Sequence, residues 1–554
     1  MSATLVIALL LVSAGVGSAE VIYVEPGASI QAAVNNSTTG DFVIVKAGDY
    51  EENIIVNVSG ITVTSEPENP DGVLIRSKDE NSSVFQVKAD NVTISGFNIT
   101  GSGEIFSTYE AAGITNSFSY GSSSKLNGTS GAVTRQAYGS GSGDIFVSRW
   151  NEFSCPPAGI CLDQVENCTI EGNNIFDNRY GVYLQGSMNN TVSENTFSRN
   201  GIWIDESCSR NMLMNNTIDK GYIIIGAHCR DNIMFQNRLS NGGGIGIACC
   251  GGGNLVSKND IINCRTGIDM YDTQARTVLR DNRITDCEKG IYLIFVFDSR
   301  VYNNTISNSS TGIFLREDCH SNELFNNTVN SSNESGILLD CSADNRIYNN
   351  YFNNTVNVKA ENSDGNAWNT TKMKGANIMG GPYLGGNFWA DLNGTGFSQT
   401  AEDSDSDGIC DLPYNVNGSD FDYLPLAVPP YVPGVDLTVI IGTSEVNKTS
   451  DVSIEIDRSS LDFGPLLPGQ ASNPQVLNIR NTGKSDVKVT AEIGGSSDSV
   501  FSEGVYLSSL FWPDFSEVIA NSTGKDVEIV LNVPANYSET GMKKGSLVFW
   551  VEKV

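Results

Sequence analysis

The chain has 554 residues, with 64 acidic side chains against 34 basic ones and a formal net charge of −30. That length accommodates more than one domain. The charge repels nucleic acid and anionic membranes and attracts cations, which excludes a nucleic-acid partner.

The first segment, MSATLVIALLLVSAGVGSAE, is an apolar run ending in Gly17, Ser18 and Ala19. It predicts a signal peptide over 1–19 cut near Ala19, being shorter than the roughly 20 apolar residues that span a bilayer. No later segment is apolar enough to cross a membrane, so the expected product is exported, extracellular or at the cell surface. Sequons at Asn57, Asn91, Asn127, Asn369, Asn393, Asn447, Asn521 and Asn536 suit a glycoprotein, although an Asn- and Thr-rich chain also makes such triplets by chance.

Residues 25–37 predict a short cap helix, because an open solenoid end exposes unpaired edges. Residues 103–157, rich in Gly, Ser and Tyr, read as a surface insertion. Between and after these segments the chain repeats. Glycine-led alternating phrases start at Gly159, Gly181, Gly201, Gly244, Gly267, Gly290, Gly312 and Gly336, with a degenerate copy at Tyr222. An Asn-x-apolar phrase recurs at Asn174, Asn195, Asn216, Asn237, Asn259, Asn282, Asn304, Asn327 and Asn350, at intervals of 21, 21, 21, 22, 23, 22, 23 and 23. Short alternating runs at this period predict an all-β parallel β-helix with one coil per repeat. Residues one and three places after each glycine should fill the core, and residues two and four places after should point outward.

Cysteines fall into the same frame. Cys208, Cys229 and Cys319 lie eight residues before the next Asn, Cys250 and Cys341 nine before, and Cys264 and Cys287 five after. Equal positions in stacked coils predict contact for Cys208 with Cys229 and Cys264 with Cys287, and less firmly for Cys319 with Cys341, as disulfides or as buried thiols. His228 beside Cys229, with Cys249, Cys250 and Cys208, offers soft-metal donors, but in an exported chain paired or buried cysteines are the favoured reading. His320, beside Cys319, has too few ligands around it.

The closing segment 372–428 contains DSDSDGICD, in which Asp403, Asp405, Asp407 and Asp411 alternate around Gly408. Alternating carboxylates on a tight turn predict a calcium loop, although position 12 is Tyr414 and the closing glutamate of an EF-hand is missing. After a linker, 429–434, residues 435–554 show alternating strands that predict an antiparallel β-sandwich.

With SIQAAVNNSTTGDFVIVKAGDY, DNVTISGFNITGSG and GGNFWADLNGTG in view, the chain from about 21 to 428 resembles the right-handed β-helix family of the copper-processing protein of nitrous oxide reductase maturation. Many relatives of that family are archaeal secreted or cell-surface proteins. The right hand follows from this resemblance. SLDFGPLLPGQASNPQVLNIRNTG is similar to immunoglobulin-like domains of the spindle-and-cilia-associated type, which imply an interaction or spacer module.

The outward places of the glycine phrases hold Tyr183, Trp203, Asp205, Asp269, Tyr271, Tyr292, Phe314, Arg316 and Asp340. Aromatics with acids on a flat sheet predict a face for a sugar chain, with Trp203, Tyr292 and Phe314 as one exposed stripe. For catalysis the best pair is Asp269 with Asp272, near Arg276 or Arg280, and no known hydrolase, lyase or epimerase pattern accompanies it. The leading reading is an exported protein that binds matrix or cell-surface glycans, or other surface proteins. The alternatives are a polysaccharide lyase, epimerase or hydrolase, and a copper-handling accessory protein.

Overall fold

The computed structural model describes residues 19–66, 72–103, 155–248, 252–273, 276–428, 434–442, 452–458, 460–466, 469–494, 499–534 and 543–554. The expected signal peptide up to residue 18, the insertion over 104–154, the linker at 429–433, and Cys249 and Cys250 lie outside these residues. The described chain forms two compact units.

The first unit is a parallel β-helix. Three long sheets run along it, of 13, 12 and 13 strands among the described residues, and each coil gives one strand to each sheet. Sheet one runs from Val21–Val24 to Arg346–Tyr348, sheet two from Ile54–Val56 to Val358–Glu361, and sheet three from Gly48–Glu51 to Phe388–Ala390. Alternation sets the core. In the phrase after Gly181, Val182 and Leu184 are sealed inside while Tyr183 and Gln185 point outward.

Corners carry a second order. Asn195 Oδ1 accepts both the backbone N–H and the Nδ2 of Asn173, at 3.0 Å each. Asn195 Nδ2 donates to Asn216 Oδ1 in the next coil and to the Ile170 and Ser193 carbonyls. The ladder repeats through Asn237, Asn259, Asn282, Asn304, Asn327 and Asn350 to Asn387. It starts at Asn173, not at the expected Asn174, which is exposed in its strand. A second ladder joins Asn190, Asn211, Asn232 and Asn254, and resumes over Asn322, Asn345 and Asn366. Each link satisfies backbone groups that the turn would otherwise bury without partners.

Both ends are closed. A helix at Ile30–Asn36, capped by Ser29, buries Ile30, Ala33 and Val34. At the other end Trp389 stacks on Phe352 at 5.2 Å and on Tyr414 at 4.6 Å. Asp422, fully buried, accepts the Trp389 indole N–H at 2.9 Å.

The second unit has two five-stranded sheets. Their pairings are antiparallel, except that Gly434–Gly442 runs parallel to Lys543–Lys553. Leu461, Phe549 and Val489 from one sheet pack with Leu477, Val527 and Leu507 from the other into one core. No helix among the described residues is long and apolar enough to cross a membrane.

Candidate functional site

The outward face of sheet two carries the predicted sugar-facing residues in two rows. Register places Cys161, Tyr183, Trp203, Ile224, Gly246, Asp269, Tyr292, Phe314, Leu338 and Lys359 in line. Beside it, Ala248, Tyr271, Ile294, Arg316, Asp340 and Glu361 form the second row, and Asp163, Gln185 and Asp205 hold the equivalent places upstream.

The expected continuous, exposed stripe is not what these rows make. Ile224, Gly246 and Asp269 divide the rings into two clusters. Upstream, Trp203 meets Tyr180 and Tyr222 edge-on, and Tyr180 meets Tyr183. Downstream, Tyr292 and Phe314 stack at 4.8 Å, each hiding a face against the other. Tyr292 is only 4% exposed, and Trp203 and Phe314 are half-buried. A period tells which way a side chain points, and neighbouring rings decide how much of it stays wet.

Polar groups reach the surface around Phe314. Arg316 is exposed; its Nη1 donates to the Tyr292 hydroxyl at 3.4 Å, and it pairs with Asp340 at 3.6 Å and Glu317 at 2.9 Å. The Lys289 ammonium sits 4.6 Å over the Tyr292 ring. Burial pushes the Tyr292 phenol upward, Arg316 opposes this, and the charge of nearby Asp269 reinforces it. This end of the face therefore offers a ring, a guanidinium and a carboxylate side by side. Asp205 serves the turn instead. Its Oδ1 accepts the N–H groups of Glu206 and Ala227 and holds the corner.

The two candidate catalytic aspartates occupy different places in their coil. Asp269 is in the row, almost fully buried, whereas Asp272 lies past the strand end with a left-handed φ of 45°. Burial raises the Asp272 carboxyl above its ordinary value. Arg280 belongs to sheet one and pairs with its neighbour Asp281, so it does not serve this face, while Arg276 is exposed at a corner.

The described cysteines of the predicted columns are corner residues. Ser187 N donates to Cys208 Sγ at 3.1 Å, just as Val165 N donates to Ser187 Oγ one coil earlier. Val296 N donates to Cys319 Sγ, and Cys319 N to Ser342 Oγ. Cysteine thus stands where neighbouring coils place serine. Cys208 and Cys229 precede the paired Ser209 and Arg230 in adjacent coils, and Cys264 and Cys287 likewise precede the paired Thr266 and Lys289 by two. All four are buried thiols. Burial pushes Cys287 up to about 12 and Cys319 to about 11. Cys341 breaks the expected column: it is exposed with φ 51°, and Ser342 occupies the place facing Cys319. The disulfide of the described residues joins Cys155 to Cys161, a bond the coil frame did not single out. His228 is exposed on its turn, and His320 stacks on Phe297 at 5.3 Å.

In the acidic loop, Asp403, Asp405 and Asp411 bring carboxylate oxygens within 4.8 Å of one another. The Asp403 carboxylate accepts the N–H groups of Asp407 and Gly408, at 3.1 and 2.8 Å. Burial and the Asp407 charge outweigh those donors and raise its pKa. Asp407 is not in that trio, and its Oδ1 accepts the Ile409 N–H at 2.9 Å.

Sequence reasoning passed over one feature. Tyr302, Phe325 and Tyr348 stack on the outside of sheet one, at 4.8 and 5.4 Å, with the Arg300 guanidinium over the first two rings. Each lies two residues before a ladder asparagine, and that period was the available signal.

The family model described as "Periplasmic copper-binding protein (NosD)" matches residues 34–241 and, in a second overlapping match, 222–394. No curated protein matches the chain. Among solved structures, the A-module of a mannuronan C-5 epimerase from Azotobacter vinelandii is 12% identical, covers 61% of this chain and 92% of its own, and has a TM-score of 0.38. The catalytic domain of a GH87 α-1,3-glucanase is 13% identical over 64% of this chain and 66% of its own, with a TM-score of 0.41. The tailspike protein of E. coli bacteriophage HK620 is 9% identical over 91% of this chain and 89% of its own, with a TM-score of 0.40. These likenesses concern the fold alone.

Proposed function

Since this chain belongs to the NosD family of periplasmic copper-binding proteins, we propose that it is an exported β-helix protein that binds carbohydrate on the downstream end of sheet two. One observation carries the reading: Phe314, Arg316 and Asp340 come together at the surface of two adjacent, in-register coils. An aromatic side chain gives an apolar body for the C–H face of a sugar, and the adjacent guanidinium and carboxylate give donors and acceptors for hydroxyl groups. The second unit attaches or spaces the β-helix. The acidic loop takes calcium, a hard cation suited to carboxylate oxygens.

Copper, which the family description names, prefers thiolate, thioether and imidazole donors. Of the soft donors the sequence offers, Cys249 and Cys250 lie outside the described residues. Among the described residues the clustered metal-ligating group is Asp403, Asp405 and Asp411, and Cys208 and Cys319 are buried in hydrogen-bonded corners.

The test is a binding screen of the purified exported chain against soluble and insoluble cell-wall and matrix glycans, with oligosaccharide competition. Saturable binding to at least one glycan, with no fragments released, is the expected result. Release of fragments would move the chain to the enzyme reading, and no binding to any glycan would end the proposal.

A further inference from the structure

The corner geometry itself writes glycosylation triplets. Asn91, Asn167 and Asn189 turn three successive coils with left-handed φ values of 59°, 56° and 57°, a region asparagine tolerates. The residue after each one faces the interior: Val92, Cys168 and Asn190 are at most 1% exposed. The next residue opens a sheet-one strand, and Thr93, Thr169 and Thr191 pair across the three coils. Asn215 repeats the pattern at another corner, with φ 55°, buried Asn216 and exposed Thr217. Asn91, Asn167 and Asn215 are exposed and Asn189 is half-buried. Asn98 heads the same triplet in a closed setting. It lies within a strand, its Nδ2 donates to the Val73 carbonyl, its Oδ1 accepts from Asn174, and Thr100 is buried.

We propose that the corner asparagines Asn91, Asn167, Asn189 and Asn215 are N-glycosylation acceptors and that Asn98 is not. The co-reactant is a polyisoprenoid-phosphate-linked oligosaccharide. Asparagine Nδ2 forms a bond to the anomeric carbon, the carbon–oxygen bond to the lipid phosphate breaks, the phosphate leaves with the electron pair, and Nδ2 gives up one proton. The sugar is attached covalently at a corner, several coils upstream of Phe314, Arg316 and Asp340. Stacked coils lie about 4.8 Å apart, so attached chains on adjacent coils crowd, and Asn167, between two acceptors, should be the least occupied.

The experiment is intact glycopeptide mass spectrometry on the protein purified from its source organism. Glycan at two or more of the four corner sites, with Asn98 bare, is the expected result. Thr93→Val and Thr191→Val keep the β-branched shape of the strand start and should remove the glycan at Asn91 and Asn189 respectively, with the circular dichroism spectrum unchanged. Glycan at fewer than two corner sites, glycan at Asn98, or full occupancy surviving both valine substitutions overturns the proposal.

Discussion

Asn237 is 1% exposed and closes four hydrogen bonds: it accepts from Asn216 N and Nδ2, and it donates to the Leu213 carbonyl and to Asn259. Asn237→Ala orphans two buried donors on Asn216. At about 1–3 kcal/mol each, the cost is about 2–6 kcal/mol, measurable by equilibrium denaturation, and a loss under about 1 kcal/mol would contradict the ladder. Cys208→Ser restores the residue that Ser187 already is one coil earlier. It should change stability by less than about 1 kcal/mol, and a larger loss would mean the thiol has a role serine cannot fill. At this scale the sequence was readable wherever a period named the residue. It misplaced the ladder start because Asn173 and Asn174 both fit the pattern, and only the hydrogen bond to Asn195 separates them. The second ladder has the same Asn-x-apolar form at Asn190, Asn211, Asn232 and Asn254, but Thr277 and Ser299 interrupt its period before Asn322, so its repeat is harder to read.

The closing element behind the last coil depends on Asp422. Burial pushes its pKa up to about 7, against the N–H groups of Asn387, Trp389 and Leu424 that pull it down. A folded value above the unfolded one favours the protonated form in the native state. Its contribution is therefore full below about pH 4 and is lost as pH rises through about 7. The denaturation midpoint should decrease between about pH 4 and 7, with that slope reduced in Asp422→Asn; an unchanged slope would show that another group sets it. In the acidic loop, calcium at 100 times its dissociation constant should add about 2.7 kcal/mol, seen as a raised Tm. The double change Asp405→Ala and Asp411→Ala should remove that shift, and an equal shift in the double variant would place calcium elsewhere. The alternating aspartates were legible from spacing. Which three of the four come within reach of one another was not, because that depends on how the turn folds. The sheet-two face shows the same divide: outward direction follows from the pleat, while the burial of Tyr292 follows from its stacking on Phe314.

For the whole molecule, a period of 21 to 23 residues with glycine-led strands was enough to specify the parallel β-helix, because each coil can bury its apolar side only against the next. The second unit was legible as strands, but the parallel pairing of Gly434–Gly442 with Lys543–Lys553 joins segments more than 100 residues apart, and local alternation carries no information about it. What the β-helix does rests on whether the surface group Phe314, Arg316 and Asp340 holds a sugar. The measurement is affinity of the full chain for its best glycan from the screen, compared with a double variant, Phe314→Ala with Arg316→Ala, whose Tm and circular dichroism are recorded alongside. The account predicts at least about a tenfold weaker affinity, about 1.4 kcal/mol, with the β-helix intact. Unchanged affinity in a folded double variant would contradict it.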